Sequence, residues 1–321
     1  MDEGGLWRSV IAGGRRACVA RRRTSVVWMR AFAHDVFTYP LPAGHRFPLA
    51  KYRLVREGAE AAGLDVRPAR AASRDELELA HDPAYVDRVE AGELARREEL
   101  ALGLPWSPAL VERARRATAA TILAAEAALE DGVAANVGGG THHAFPDSGR
   151  GFCVFNDVVV AARALRRSGR ATRFLVVDLD VHQGDGTHTA FLEDPEAFTF
   201  SVNGFRNYPF RRVPGDLELD LADRTGDDEY LASLGKLLPQ AIARSRPDVC
   251  FYLAGADPFE GDRLGRLALS KQGLATRDRL VRDTLVRAGV PVCVTLAGGY
   301  AEPIEDTVEI NVRTLQAFAS P

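Results

Sequence analysis

Five short apolar runs, each followed by glycines or ionisable residues, constrain the fold of this 321-residue chain most strongly. They lie at 134–137, 173–178, 198–202, 249–253 and 290–296. The runs are continuous rather than alternating in polarity, which is typical of parallel strands buried on both faces. Segments with helical periodicity separate them, near 48–62, 108–130, 157–168, 228–245, 273–288 and 303–318. The sequence therefore predicts an α/β fold, a three-layer αβα sandwich around a mostly parallel central sheet.

The chain divides into a short arginine-rich tail and one long body. Residues 29–321 contain no repeat, low-complexity stretch or linker, so we predict a single domain over that range. In residues 1–28 arginines are frequent and apolar periodicity is weak. A secretory signal would need a longer apolar segment after the basic one. The pattern favours a disordered or non-native extension. If it is non-native, Met29 would be the natural start of the protein.

Charge and cysteine usage exclude several classes of protein. The formal net charge of −3 lacks the basic excess expected of a nucleic-acid-binding protein. No run approaches the roughly 18 apolar residues of a membrane span. The four cysteines show no regular spacing and three lie in apolar surroundings, which indicates reduced thiols rather than a disulfide scaffold or a thiolate zinc site. We expect a cytoplasmic protein that binds neither nucleic acid nor membrane.

Polar side chains gather where the predicted strands end, which is where open parallel sheets bind ligands. Asp180 and His182 are two residues apart, so on an extended backbone they share one side, and Asp257 follows a neighbouring strand. Carboxylate and imidazole ligands suit Zn²⁺ or Fe²⁺, and three of them leave a coordination position open. The alternative interpretation is that the Asp-x-Asp segment forms a turn or helix cap and that His182 lies on the surface.

Further candidates accompany this set. His142 and His143 follow a Gly-Gly-Gly turn, where both could face a pocket. Asp178 and Asp185 remain as acceptors that would orient an imidazole and raise its basicity. Tyr300 follows two glycines and would place a phenol at the rim, although an aromatic cap on a strand end is an equal alternative.

Taken together, the motifs resemble those of the histone deacetylase superfamily, most closely the bacterial branch near class IV. The resemblance extends from about Phe32 to the C-terminus, and the motifs that carry it occur in the same order. These motifs are Gly-Gly-Thr-His-His-Ala at 139–144, Gly-Phe-Cys-Val-Phe-Asn-Asp at 151–157, Asp-Leu-Asp-Val-His-Gln-Gly-Asp-Gly-Thr at 178–187, Gly-Ala-Asp-Pro at 255–258 and Ala-Gly-Gly-Tyr at 297–300.

The resemblance implies the arginase–deacetylase fold and zinc-dependent hydrolysis of an acylated amine, with Fe²⁺ as a second candidate metal. The resemblance implies that Asp180, His182 and Asp257 are the metal ligands. It implies that His142 and His143, backed by Asp178 and Asp185, are the general base and acid pair, and that Tyr300 donates a hydrogen bond to the carbonyl oxygen. Gly151, Phe152 and Tyr208 would line a substrate tunnel, and Asp178 near Ser201 would form a structural K⁺ site. Many relatives have histidine where Gln183 stands, and we expect no loss of metal from that change.

Several functions remain open from the sequence. A binuclear manganese ureohydrolase of the arginase type shares the fold, but its Asp-x-His-x-Asp pattern would need a carboxylate where Gly184 stands. A catalytically silent acyl-lysine-binding module is a second alternative. The resemblance implies that the substrate is an acylated lysine in a protein or peptide, or an acylated small amine. An acetylpolyamine deacetylase would favour carboxylates at the rim, for which Asp82, Glu260 and Asp262 are candidates.

Overall fold

The computed structural model describes residues 29–34 and 38–320. The expected tail at 1–28 lies outside the described residues. Within them, eight strands form one sheet and ten helices surround it. The strands are β1 Arg30–Ala33, β2 Asp65–Pro68, β3 Val133–Asn136, β4 Phe174–Asp178, β5 Ala197–Gly204, β6 Leu217–Leu221, β7 Val249–Leu253 and β8 Val292–Thr295. The helices are α1 Lys51–Ala61, α2 Arg74–Leu77, α3 Pro83–Ala91, α4 Arg96–Leu102, α5 Pro108–Asp131, α6 Asp157–Arg167, α7 Asp185–Phe191, α8 Asp227–Ser245, α9 Lys271–Arg287 and α10 Ile304–Ala319.

Every strand pairs in parallel with its neighbours, in the order β2-β1-β3-β8-β7-β4-β5-β6. Two apolar clusters cover the two faces. In β4, Leu175 and Val177 belong to the cluster shared with α1, α8, α9 and α10, while Phe174 and Val176 belong to the cluster shared with α5 and α6. Successive side chains of a strand point to opposite faces, so each central strand must be apolar throughout. The predicted three-layer fold is confirmed.

Helix α5 shows how local sequence signals set an element. Ser107 accepts a hydrogen bond from the backbone N–H of Leu110, and Pro108 occupies the first helical position. Gly132 ends the helix with a positive φ of 89°. These are the start and stop signals expected of a helix, and α5 covers one face of the sheet.

Three elements of the sheet are absent from the sequence prediction: β1, β2 and β6. Strands β2 and β6 lie at the two edges. The β6 sequence Leu-Glu-Leu-Asp-Leu alternates in polarity because the strand is only partly buried. Continuous apolar runs identify strands covered on both faces and overlook such edges.

The described cysteines behave as expected. Cys153, Cys250 and Cys293 are buried and form no disulfide. Across residues 29–34 and 38–320, none of the helices is both long and apolar enough to cross a membrane. A cytoplasmic location stays a prediction.

Candidate active site

Four adjacent strands bring the predicted site residues together. Strands β3, β8, β7 and β4 are neighbours in the middle of the sheet, and their carboxyl ends lie at the same edge. The segments that leave them are 138–143, 297–300, 254–257 and 179–185. Residues as distant in the chain as His142 and Tyr300 therefore meet at one place.

Asp180, His182 and Asp257 converge on one point, with a ligand atom from each within 4.8 Å of the others. His182 Nδ1 lies 2.9 Å from Asp180 Oδ1 and 3.2 Å from Asp257 Oδ2. The other oxygens are occupied by backbone donors, since Gly298 N–H bonds Asp180 Oδ2 at 2.8 Å and Val181 N–H bonds Asp257 Oδ1 at 2.9 Å. Oδ2 of Asp257 is buried without a hydrogen-bond donor. The two carboxylates and the imidazole fit a divalent cation with an open coordination position.

The charges of this cluster also call for a cation. Although burial disfavours the imidazolium of His182, the carboxylates of Asp180 and Asp257 raise its pKa to about 10. Burial and the charge of Asp180 raise the pKa of Asp257 to about 7. Two buried carboxylates this close are stable only with positive charge between them, which a proton or a metal ion can supply.

The two adjacent histidines are held by separate carboxylates. His142 Nδ1 lies 2.7 Å from Asp178 Oδ2, and His143 Nδ1 lies 2.7 Å from Asp185 Oδ1. Their rings are 4.2 Å apart and buried. With Nδ1 of each ring donating to a carboxylate, Nε2 of each is left for chemistry in the cavity.

The two imidazoles differ in pKa. Burial lowers the pKa of His142, but the carboxylates of Asp178 and Asp180 outweigh burial and raise it to about 9. Burial and the nearby charge of His142 lower the pKa of His143 to about 4. Neighbouring titratable groups whose pKa values are pushed apart are typical of acid–base pairs.

Tyr300 is partly buried in the segment after β8 and lines the same cavity as the cluster. Its backbone N–H donates to Asp262 Oδ2 at 2.6 Å, which anchors this segment. Burial holds the pKa of the phenol well above its ordinary value, so the hydroxyl keeps its proton. The buried ammonium of Lys51 donates to the carbonyl of Ala297 at 3.1 Å and lies 5.6 Å from the ring of Tyr300.

A cavity of about 700 Å³ opens onto these groups. Its lining includes Asp180, His182 and Asp257, both histidines and Tyr300, together with Gly151, Phe152 and Tyr208. A Cβ at Gly151 would lie 2.7 Å from His143 Cδ2, so only glycine allows this approach. The Tyr208 ring lies 4.8 Å from that of His143, and the Phe152 ring 6.1 Å from that of Tyr300.

Comparison with known proteins places these features in a family. Residues 45–315 match the histone deacetylase domain. The chain belongs to the histone deacetylase family. An uncharacterized protein of Picosynechococcus sp. is 44% identical over 279 residues, covering 86% of this chain and 93% of that protein. Histone deacetylase 2 of Arabidopsis thaliana is 32% identical and the human polyamine deacetylase HDAC10 is 30% identical, over 74% and 86% of this chain.

The chain spans 65% of the Arabidopsis protein and 44% of the human one. Two crystal structures of histone deacetylase homologues, one complexed with SAHA and one from Aquifex aeolicus, superpose with TM-scores of 0.78 and 0.77 at 24% identity. They cover 92% and 91% of this chain and 84% of each homologue. This likeness establishes the shared fold of the deacetylase family.

Beneath the site, this deacetylase-family chain contains a buried arginine that sequence analysis missed. Arg277 of α9 is fully buried and donates to the carbonyls of Gly255 at 2.6 Å and Leu179 at 3.4 Å. These residues precede Asp257 and Asp180 in their loops. Asp278 balances the charge of Arg277 at 2.9 Å and accepts hydrogen bonds from Tyr252 and Thr314. The arginine thereby ties together the two loops that carry the carboxylates of the cluster.

The departure from the family pattern at Gln183 is explained by contacts with a neighbouring loop. Gln183 bonds the backbone N–H and carbonyl of Val213, both at 3.0 Å, and holds that loop. Asp178 and Ser201, the residues of the expected structural K⁺ site, are register partners in β4 and β5. The Ser201 hydroxyl bonds a ring nitrogen of His188 at 3.1 Å. The K⁺ site itself stays a prediction.

The three rim carboxylates considered from the sequence do not line the cavity. Asp82 caps α3 by accepting the Ala84 N–H at 2.8 Å. Asp262 is taken up by backbone N–H groups, and Glu260 is exposed outside the cavity lining.

Proposed function

We propose that the chain is a metal-dependent amidohydrolase that removes an acetyl or longer acyl group from an acylated lysine or a related amine. The observation that carries this proposal is the convergence of a three-ligand cluster and two carboxylate-oriented histidines on one cavity. Membership of the histone deacetylase family supports the same reaction class.

Asp180, His182 and Asp257 would hold Zn²⁺, with Fe²⁺ as the alternative that the same ligands accept. When bound there, the ion supplies Lewis acidity, which polarises an amide carbonyl and makes a water molecule more acidic. The residues of this chain then position the substrate and move the protons.

His142 and His143 would carry out the proton transfers through Nε2. One imidazole accepts a proton from the water that attacks the amide carbon, and the other donates a proton to the leaving nitrogen, because an amine leaves poorly as an anion. Asp178 and Asp185 hold the Nδ1–H tautomer of each ring in place.

Tyr300 would donate its phenolic proton in a hydrogen bond to the carbonyl oxygen as negative charge develops there. Its raised pKa keeps this donor protonated. Phe152 and Tyr208 would flank the methylene stem of the substrate, since aromatic faces suit an aliphatic chain.

Two observations bear against the alternatives. A Cβ at Gly184 would lie 2.6 Å from Asp178 Oδ2, so the position where a ureohydrolase needs a second bridging carboxylate has no room for one. The rim candidates for a polyamine enzyme, Asp82, Glu260 and Asp262, lie outside the cavity lining. A silent binding module would have no use for both oriented histidines.

The proposal is tested by comparing turnover of an acetyl-lysine peptide, a long-chain acyl-lysine peptide and an acetylpolyamine by the zinc-loaded protein. We expect hydrolysis of at least one acyl-lysine peptide, and a fall in kcat of about 10²–10³-fold in Tyr300→Phe with peptide binding retained. Binding without turnover in the wild-type protein would instead identify a binding module. Equal kcat in the variant would remove Tyr300 from the mechanism.

A further inference from the structure

The outer end of the cavity is lined by arginines. Arg206, Arg263 and Arg266, here called the arginine rim, all contact the cavity, and their side chains are 72%, 48% and 56% exposed. His182, at the inner end, is only 11% exposed. Among the described residues that line the cavity, the carboxylates are those of Asp180 and Asp257, which a divalent cation would neutralise. Exposed Arg46 and buried Arg113 line the same cavity, so positive charge extends beyond the rim, and the exposed part of the lining is positive.

The ion pairs of the rim do not cancel its charge. Arg206 and Arg266 share one carboxylate oxygen of Asp223, at 3.8 and 3.2 Å. Arg263 pairs with Glu302 at 2.8 Å and donates to the carbonyl of Tyr300 at 3.3 Å. Three guanidinium groups thus face two carboxylates. Exposed pairs of this kind are weak, so the guanidinium groups can exchange their partners for carboxylates of a ligand.

The loop beside the rim adds apolar surface and more positive charge. Residues 205–212 contain two phenylalanines and three arginines but no acidic residue. The Phe210 side chain is 90% exposed, lines the cavity and packs edge-on against Tyr208 at 6.4 Å. Phe205 is 64% exposed. Exposed aromatic rings beside guanidinium groups suit a peptide chain, whose side chains are both apolar and charged.

We propose that the arginine rim selects acylated lysines that lie in acidic peptide segments, and that it disfavours acylated polyamines. The inference rests on the proposed function for the reaction and adds the charge of the substrate. Aspartate or glutamate side chains next to the acylated lysine would meet Arg206 and Arg266 as the stem enters the cavity. A polyamine would bring its own ammonium groups to the same arginines, where like charges repel.

The test compares three acetyl-lysine peptides of equal length whose flanking residues are aspartate, serine or lysine, with an acetylpolyamine as the fourth substrate. Binding by fluorescence anisotropy and hydrolysis are both measured on the zinc-loaded full chain. We expect the acidic peptide to exceed the neutral one about five- to tenfold in affinity and in kcat/KM, from two weak ion pairs. The advantage should shrink strongly between 50 and 500 mM salt, because screening weakens exposed pairs.

The double variant Arg206→Gln/Arg266→Gln should bring the ratio of acidic to neutral peptide close to one. The matched control is Arg279→Gln, which removes an exposed arginine of α9 outside the cavity lining and should preserve the ratio. Equal binding of all three peptides by the wild type, a preference for the lysine-flanked peptide or polyamine, or a preference that survives in the double variant would overturn the inference.

If a single-stranded oligonucleotide binds more tightly than the acidic peptide, the arginine rim is a site for phosphate groups, and the inference is overturned. The two proposals fail separately. Absence of hydrolysis with every substrate would refute the proposed function, while the binding ratios would still decide the role of the arginine rim.

Discussion

Arg277 is the residue that most clearly separates what the sequence shows from what the fold adds. It lies within α9, where an arginine is ordinarily a solvated residue, yet it is fully buried and bonds the backbone beside two predicted metal ligands. Asp180, His182 and Asp257 could be found from the sequence because each follows a strand directly. Arg277 reaches them from a helix through tertiary packing, which no local pattern encodes. Lys51 escaped notice for the same reason.

Replacing Arg277 with methionine should lower the free energy of unfolding by about 3–5 kcal/mol, because Asp278 would remain buried without its cation. Arg279→Met, two residues further along the same helix, removes an exposed arginine and should change it by less than about 0.5 kcal/mol. Urea denaturation of both variants measures the difference. Equal stability of the two variants would show that Arg277 does not support the loops.

At the scale of elements, the strand ends must approach each other closely for the cluster to form. Gly298, in the segment after β8, donates its N–H to Asp180, and a Cβ there would overlap Asp257 Oδ2 and lie 2.6 Å from Asp180 Oδ2. The sequence motif at 297–300 contains this glycine, but the sequence alone gives no reason why glycine is needed there. In the structure, the backbone that follows β8 packs directly against the carboxylates of Asp180 and Asp257, which follow β4 and β7.

Gly298→Ala should therefore displace both carboxylates and weaken zinc binding by about 10–100-fold, the usual effect of disturbing the surroundings of metal ligands. Gly235→Ala in α8 is the control, since its Cβ would meet only Leu280 Cδ2 at 3.9 Å. That change should leave zinc affinity unaltered and stabilise the helix by about 0.5–1 kcal/mol. Competition with a chromophoric chelator gives the affinities, and an unchanged affinity in Gly298→Ala would refute the close approach.

For the whole molecule, buried neutral histidines link stability to pH. His81 is buried, with Nδ1 3.1 Å from the carbonyl of Phe145 and Nε2 accepting the backbone N–H of Asn156 at 2.9 Å. Burial lowers its pKa to about 4, against 6.5 for the unfolded chain. Protonation of Nε2 would replace this hydrogen bond with repulsion between the Nε2–H of His81 and the backbone N–H of Asn156. The sequence could not identify this role, because His81 lies in an ordinary polar segment between α2 and α3.

Because the folded pKa of His81 is depressed, its contribution is present above pH 6.5 and is lost as pH falls towards 4. The loss amounts to about 3 kcal/mol for a shift of this size. His34, whose pKa burial also lowers, adds a loss in the same direction. His81→Gln keeps a donor and an acceptor but does not titrate, so its unfolding free energy should fall less steeply with pH. Urea denaturation from pH 7 to pH 4.5 tests this, and identical slopes would contradict it.

The central claim is that one divalent metal ion, held by Asp180, His182 and Asp257, is needed for hydrolysis of an acylated amine. The most direct measurement is metal content together with turnover of an acetyl-lysine peptide before chelation, after chelation and after zinc is restored. We predict one zinc or iron ion per chain, loss of turnover on chelation, recovery with added Zn²⁺ or Fe²⁺, and neither metal nor recovery in Asp257→Ala. Full activity in the metal-free protein, or two manganese ions per chain, would contradict the account.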